Sequence, residues 1–160
     1  MHVKPTQGFT LVELIVVILL LAIVSVYTAS RLFGSDSVAA MVIQQQVVSV
    51  VRQVQVNRMQ SNVDLSNVSG DSSFVLVVNS DCIGSEQACT LKSDARSDWI
   101  NGNASGVFFS VNTKSPINFD LLGNPIDISA SGATITISSS DDKCNVEINA
   151  QGYVYSGVCS

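Results

Sequence analysis

The sequence contains few of the residues that catalysis needs. Its single histidine is His2, near the N-terminus, and only 13% of its 160 residues are charged. Ordinary soluble domains carry about 25% charged residues. A serine or cysteine nucleophile usually needs an adjacent general base such as histidine, and the sequence has no glycine-rich phosphate-binding loop either. These shortages argue against an enzyme.

Basic residues are scarce in the part of the chain that follows Gln60. Four Lys and Arg residues stand there against eleven Asp and Glu residues, a net charge of −7. Nucleic-acid binding depends on lysine and arginine side chains that neutralise phosphates. The acidic balance therefore predicts that this part of the chain binds no nucleic acid.

Charge is missing altogether from Leu14 to Ser30, where the sequence reads LIVVILLLAIVSVYTAS. Counted from Phe9 to Ser30, the segment has 22 residues, which as a helix would be about 33 Å long. A hydrocarbon core is about 30 Å thick, so this length is sufficient to cross it. Glu13 is the one charged residue of this 22-residue segment. An acid near the bilayer centre costs about 2.5 kcal/mol or more, which marks this residue as functional.

The stretch GFTLVELIVVILLLAIVS resembles the class III signal and N-terminal helix of type IV pilins and type II secretion pseudopilins. The resemblance implies that prepilin peptidase cuts between Gly8 and Phe9 and that the new N-terminus at Phe9 is methylated. It also implies that Glu13, the fifth mature residue, meets the terminal amine of a neighbouring subunit. Residues 1–8 are then a leader peptide, and His2 leaves with it.

Two other interpretations explain less of this segment. A secretory signal has a small-residue cleavage site after its apolar region, whereas the Gly8–Phe9 junction precedes that region. A simple membrane anchor explains the length but not Glu13. Many major type IV pilins have a proline in the apolar half, and this chain has none between Phe9 and Phe33. Any local unwinding of the helix is therefore expected at Gly34.

The residues that follow the apolar segment, from Ser37 to about Gln60, are predicted to form an amphipathic helix. Apolar residues recur there at three- and four-residue steps: Ala40, Ile43, Val47, Val50, Val51 and Val54. Polar residues fill most of the other positions: Gln44, Gln45, Ser49, Arg52, Gln53 and Gln55. The pattern predicts that the apolar stripe packs under a sheet while the glutamine-rich face meets water or neighbours. Residues 9–60 thus form the N-terminal transmembrane and stem helix, and a loop follows over 61–70.

Short strand-like segments separated by polar turns predict a β-rich head over residues 61–160. Ala133–Ser138 alternates with period two, as a half-buried strand does. Phe74–Val78 and Val107–Asn112 are further candidate strands, and Val146–Ile148 forms a hairpin with Tyr153–Tyr155. The expected fold class is α+β, with a long N-terminal helix packed on a small antiparallel sheet.

Four cysteines lie in the head, which indicates two disulfides and an oxidising compartment. Four cysteines allow three pairings. The pairs Cys82–Cys89 and Cys144–Cys159 are favoured because each closes a local segment, and the first is predicted to be a loop. A zinc site is disfavoured, since six residues separate Cys82 from Cys89 and no histidine follows.

Neither a metal nor a cofactor is expected. Two pairs of nearby acids offer the oxygen ligands that calcium takes: Asp94 with Asp98, and Asp141 with Asp142. Solvated loop acids are the favoured interpretation, because neither pair lies in an EF-hand pattern. Three aromatic residues could form a mannose- or surface-binding patch, although packing in the core or the hairpin is favoured: Trp99, Tyr153 and Tyr155.

The head also resembles a subgroup of the pilins. Phe119, the turn Gly123-Asn124-Pro125, the alternating strand and the terminal hairpin resemble minor pilins and small pseudopilins. Those of the mannose-sensitive hemagglutinin pilus are the nearest. The resemblance implies a minor pilin that is incorporated in a type IV pilus, or primes it, and supports adhesion or motility. A type II secretion pseudopilin and a filament-presented adhesin are the alternatives.

The same resemblance implies the partners and the location of the chain. The partners are other pilin subunits, met through the N-terminal helix, together with prepilin peptidase and the inner-membrane assembly platform. The chain is expected in the inner membrane with its head in the periplasm, and then in the filament at the cell surface. Lys4 before the apolar run agrees with a cytoplasmic N-terminus, whereas Arg31 argues mildly against it.

Overall fold

The computed structural model describes residues 10–32, 36–63, 72–126 and 128–160, with side chains for all of these except 26–32 and 36–38. The chain divides into two units, residues 1–35 and 36–160. The leader, the Gly8–Phe9 junction and Gly34 lie outside the described residues, so the expectations for them stay predictions.

Helix α1 spans Leu11–Leu32 in the first unit. It begins after Thr10, whose hydroxyl accepts a hydrogen bond from the backbone N–H of Glu13 at 3.3 Å. A threonine followed three residues later by a glutamate is typical of a helix N-terminus, where the hydroxyl satisfies an N–H group that has no helical partner. Over the described residues, no helix meets the combined length and apolarity of a membrane span.

Helix α2 spans Asp36–Gln60 at the start of the second unit. The predicted apolar stripe is buried throughout: Ala40, Ile43, Val47, Val50, Val51 and Val54. Valine has only moderate helix propensity, and helices in proteins are held mainly by the packing of their apolar face. The stripe therefore holds α2 on the sheets, as the sequence predicted.

In the described part of the second unit, the strands form three antiparallel sheets. The first contains β1 (Leu76–Asn79), β2 (Cys82–Ser85) and β3 (Trp99–Asn101), in that order. The largest runs in the order β4 (Phe108–Val111), β7 (Ala133–Ser138), β8 (Lys143–Ile148) and β9 (Val154–Cys159). The smallest pairs β5 (Asn118–Phe119) with β6 (Pro125–Ile126).

The segment between Cys82 and Cys89 is a strand followed by a helix, so the predicted loop was wrong. Strand β2 pairs with β1 on one side and with β3 on the other. Helix α3 (Glu86–Leu91) follows its N-cap residue Ser85, whose hydroxyl accepts a hydrogen bond from the Ala88 N–H at 3.1 Å. A second short helix, α4 (Gly102–Ser105), follows β3. A serine cap before a glutamate was the local signal for α3.

The remaining strand predictions hold with shifted ends. Strand β7 occupies the predicted residues, and its side chains alternate between buried and half-buried positions. Strand β1 begins at Leu76, because Ser73 and Phe74 lie in a turn. The terminal hairpin of β8 and β9 is longer than predicted. Phe119, Leu76 and Ile83 are among the largest fully buried side chains between α2 and the sheets. The α+β fold class is confirmed.

Candidate functional site

Glu13 stands at the start of a helix whose described side chains are all exposed. The large apolar residues between Leu11 and Val24 expose from 43% to 74% of their surface. Within the described residues, the Glu13 carboxylate has no hydrogen-bond or ion-pair partner. A helix that is apolar all round is normally covered by protein or by lipid. The first unit thus presents an acid on a surface that needs covering.

Helix α2 also exposes a face with little charge, here called the α2 outer face. It consists of Met41, Val42, Gln45, Gln46, Ser49, Arg52, Val56 and Met59. Arg52 is its one charged residue, and the guanidinium Nη2 donates to the Val154 carbonyl at 2.7 Å. A surface with so little charge suits contact with another apolar or amide-rich helix.

Two glutamines expected on the water-facing side of α2 are buried, so that prediction was wrong for them. Gln44 and Gln55 expose only 3% and 7% of their surface. The Gln44 amide donates to the carbonyls of Asn145 and Gly157, at 2.6 and 3.0 Å. The helical spacing indicates this burial, because Gln44 follows the buried Ala40 by four residues and Gln55 follows the buried Val51 by four, which places each on the apolar face.

Gln55 joins the C-terminal half of α2 to the head in the same way. Its amide donates to the Gly123 carbonyl at 3.0 Å and to the Gly152 carbonyl at 2.8 Å. Gly152 belongs to the turn between β8 and β9, and Gly123 to the turn between β5 and β6. Each buried amide thus satisfies two backbone groups that α2 would otherwise leave without a partner.

The N-terminal segment matches a known family model, described as the prokaryotic N-terminal methylation motif, over residues 4–28. The matched residues include the Gly8–Phe9 junction, Glu13 and most of the exposed apolar part of α1. The chain is a type IV pilin-like or pseudopilin protein. No curated protein and no solved structure matches it. The assignment of this pilin-like chain therefore rests on its N-terminal segment.

Both disulfides of the pilin-like chain join the pairs that the sequence favoured. The Cα atoms of Cys82 and Cys89 are 5.9 Å apart, and those of Cys144 and Cys159 are 4.0 Å apart. The first bond ties β2 to α3, and the second ties β8 to β9. The second closes a loop with a sequence separation of 15, which the chain-entropy model values at about 3 kcal/mol.

Asp98, one of the acids considered for calcium, is itself buried and takes part in a partly buried ion pair. Its carboxylate accepts hydrogen bonds from Arg96 at 2.9 and 2.6 Å and from the Ser85 hydroxyl at 2.5 Å. Burial opposes ionisation, but these hydrogen bonds outweigh it and hold the pKa of Asp98 below its ordinary value. Among the described residues, no cluster of three or more His, Cys, Asp and Glu side chains could hold a metal ion.

The three aromatic residues considered for a binding patch belong to different parts of the head, Trp99 to the first sheet and the two tyrosines to the last hairpin. Trp99 is half-buried in β3, and its indole N–H donates to the Ser93 carbonyl at 2.9 Å. Tyr153 and Tyr155 stack at the last hairpin with their ring centroids 5.5 Å apart, and they expose 62% and 36% of their surface. A hydrogen bond to Glu147 raises the pKa of the Tyr155 hydroxyl. Tyr153 and Tyr155 thus form an exposed aromatic pair in this pilin-like head.

Proposed function

We propose that the chain is a minor pilin-like subunit of a type IV pilus. Prepilin peptidase cuts it between Gly8 and Phe9, and α1 holds it in the inner membrane with the head in the periplasm. The assembly platform then moves it into the filament at the cell surface, where it supports adhesion or motility. Its role is to assemble with other pilin subunits and not to catalyse a reaction.

The observation that carries this proposal is the position of Glu13. It is an exposed acid in the first turn of an apolar helix, and its carboxylate has no partner among the described residues. A carboxylate in apolar surroundings is costly unless an opposite charge meets it. The terminal amine of a neighbouring subunit supplies that charge. The pair would then fix the stagger between two α1 helices.

Two further features support assembly as the function. The α2 outer face carries Met, Val and Gln side chains and only one charge, which suits packing beside another helix. The chain has a single histidine, His2, and cleavage after Gly8 would remove it. No histidine would then be left to serve as a general base in the mature subunit.

Replacing Glu13 with alanine tests the proposal. Membrane insertion and head folding should survive, since the helix keeps its length and becomes more apolar. Incorporation into filaments should fall about tenfold or more, because the change removes one partner of a charge pair in surroundings of low polarity. The measurement compares the protein in sheared pili with its level in the inner membrane, at equal expression.

Two variants serve as controls for this experiment. Glu13→Gln keeps hydrogen bonding and should retain part of the incorporation. Glu86→Ala removes a first-turn acid from α3 in the head and should behave as the unaltered protein. If Glu13→Ala enters filaments as well as the unaltered protein does, Glu13 has no role in the stagger and α1 acts only as an anchor.

The methylation motif is equally consistent with a pseudopilin of a type II secretion system. Deleting the chain separates the two candidates, because loss of pili supports the pilin and loss of secretion with intact pili supports the pseudopilin.

A filament-presented adhesin is favoured by one observation, the exposed stack of Tyr153 on Tyr155. A glycan-binding screen with Tyr153→Ala as the control would test it.

A further inference from the structure

Two leucines at the tip of the β5–β6 turn face solvent. Leu121 exposes 51% of its surface and Leu122 exposes 77%. Tight turns favour Gly, Asn, Asp, Ser and Pro, each for a conformational reason that leucine does not share. Neither leucine can add much to the core from this position, so the fold itself does not account for them.

The turn that carries the leucines is held rigidly by Asp120. One carboxylate oxygen accepts the backbone N–H groups of Leu122 and Asn124, both at 2.8 Å. The other accepts the Asn124 side-chain amide, also at 2.8 Å. The Gly123 carbonyl is fixed in turn by Gln55 of α2. A loop ordered in advance loses little conformational entropy when a partner binds it.

Two charged side chains of the described residues lie at or beside the turn, and both are engaged in hydrogen bonds. The Asp120 carboxylate is occupied within the turn, and its hydrogen bonds hold its pKa low although burial opposes this. The Arg58 guanidinium donates to the carbonyls of Phe119 and Val63, at 3.0 and 2.6 Å. An uncharged surface with protruding leucines fits an equally uncharged partner, because it would leave a partner's charges unpaired.

The turn is continuous with the α2 outer face. Gly123 lies against the Met59 side chain, so close that an added Cβ would stand 3.2 Å from the sulfur. Met59 and Val56 are exposed beside it. The leucines therefore extend the α2 outer face at its C-terminal end. Met41 and Val42 expose apolar surface near the other end of α2, about 27 Å along the helix.

We propose that Leu121 and Leu122 dock on the α2 outer face of a neighbouring pilin-type subunit, near the positions of Met41 and Val42. The inference rests on the proposed function, since it names the partner surface of a filament subunit. The contact joins two different surfaces, one at each end of α2. Head-to-tail contacts of this kind build open helical assemblies when the rotation between subunits does not close a ring.

A photo-reactive benzophenone amino acid at position 122, in the full chain expressed in piliated cells, tests the partner. Mass spectrometry of the adducts should identify a peptide from the helix that follows the N-terminal segment of a pilin-type subunit. The same amino acid at Leu91, which is exposed on α3, is the control and should not give this peptide. Lipid adducts at position 122, peptides from any other region, or no adduct at all would overturn the proposal.

Incorporation into sheared filaments provides the second readout. Leu122→Ser should lower it roughly tenfold, the factor expected when one leucine is no longer buried in a contact. Leu122→Met should restore most of it, and Leu91→Ser should have no effect. If the unaltered chain enters filaments and Leu122→Ser does so equally well, only this inference is wrong. If the unaltered chain is absent from filaments, the proposed function fails as well.

Discussion

Replacing Gln44 with methionine should destabilise the head, while the same change at its neighbour Gln45 should leave it nearly unchanged. Methionine has about the length of glutamine and fills irregular space well, so the change mainly removes the amide. Gln44 is buried and donates to two backbone carbonyls, those of Asn145 and Gly157. Gln45 is exposed and donates only to the Ser156 hydroxyl, at 2.9 Å.

The expected loss follows from the two hydrogen bonds of Gln44. Each is worth about 1 kcal/mol net, and a buried carbonyl left without a partner costs more. Gln44→Met should therefore lower the free energy of unfolding by about 2 kcal/mol or slightly more. For a unit of this size that corresponds to a melting temperature lower by about 8 °C. The exposed hydrogen bond of Gln45 should contribute less than about 0.5 kcal/mol.

Urea unfolding of the full chain in detergent gives the measurement. Trp99 is the single tryptophan of the chain and lies half-buried in β3, so its fluorescence reports on the head. The comparison uses the unaltered chain, Gln44→Met and Gln45→Met with both disulfides intact. If the two variants unfold at the same urea concentration, the buried amide does not hold α2 to the head and the reasoning is wrong.

Two more predictions concern the first sheet and its ion pair. The hydrogen bonds that hold the Asp98 pKa low stabilise the fold above about pH 4, and their contribution is lost as the pH falls through the folded pKa. Asp98→Asn should cost about 2 kcal/mol at pH 7 and progressively less towards pH 3 in parallel urea titrations, whereas a constant cost would contradict the assignment. Gly84→Ala should cost about 3 kcal/mol in the same assay, because a Cβ would stand 2.5 Å from the Trp99 Cα. Gly106→Ala, where a Cβ would meet no atom within 4 Å, should cost about 1 kcal/mol for its left-handed backbone, and equal costs at both glycines would refute the steric argument.

The sequence predicted the parts of the fold that repeat over several turns or strand pairs. The apolar stripe of α2 runs from Ala40 to Val54, and its three- and four-residue steps leave one packing face. Strand β7 alternates over six residues, which is long enough to distinguish a half-buried strand from a helix. Both disulfide pairs are local in the sequence, and local pairing was the criterion that favoured them.

The parts that were missed depend on short elements or on distant neighbours. Helix α3 has six residues, fewer than two helical turns, so it produces no clear apolar period, and only the Ser85 cap indicates it. Gln44 and Gln55 are buried because carbonyls of distant turns and strands need donors there. A single sequence does not specify which carbonyls come to lie beside a helix. The leucine turn was missed for a related reason, since exposure is decided by the whole fold.

Two side chains of α2 that donate to backbone carbonyls of β9 also govern how the sheet can grow. Strand β9 is the last strand of its sheet, and an open strand edge is a template for pairing with another chain. Arg52 and Gln44 occupy carbonyls of Val154 and Gly157 on this strand, so an incoming strand finds fewer free acceptors. In the proposed assembly, subunits that wait side by side would thereby be protected from joining through their sheets. That proposal leaves growth to the helices, and it gives α2 two roles, to protect the sheet edge and to carry the surface through which subunits join.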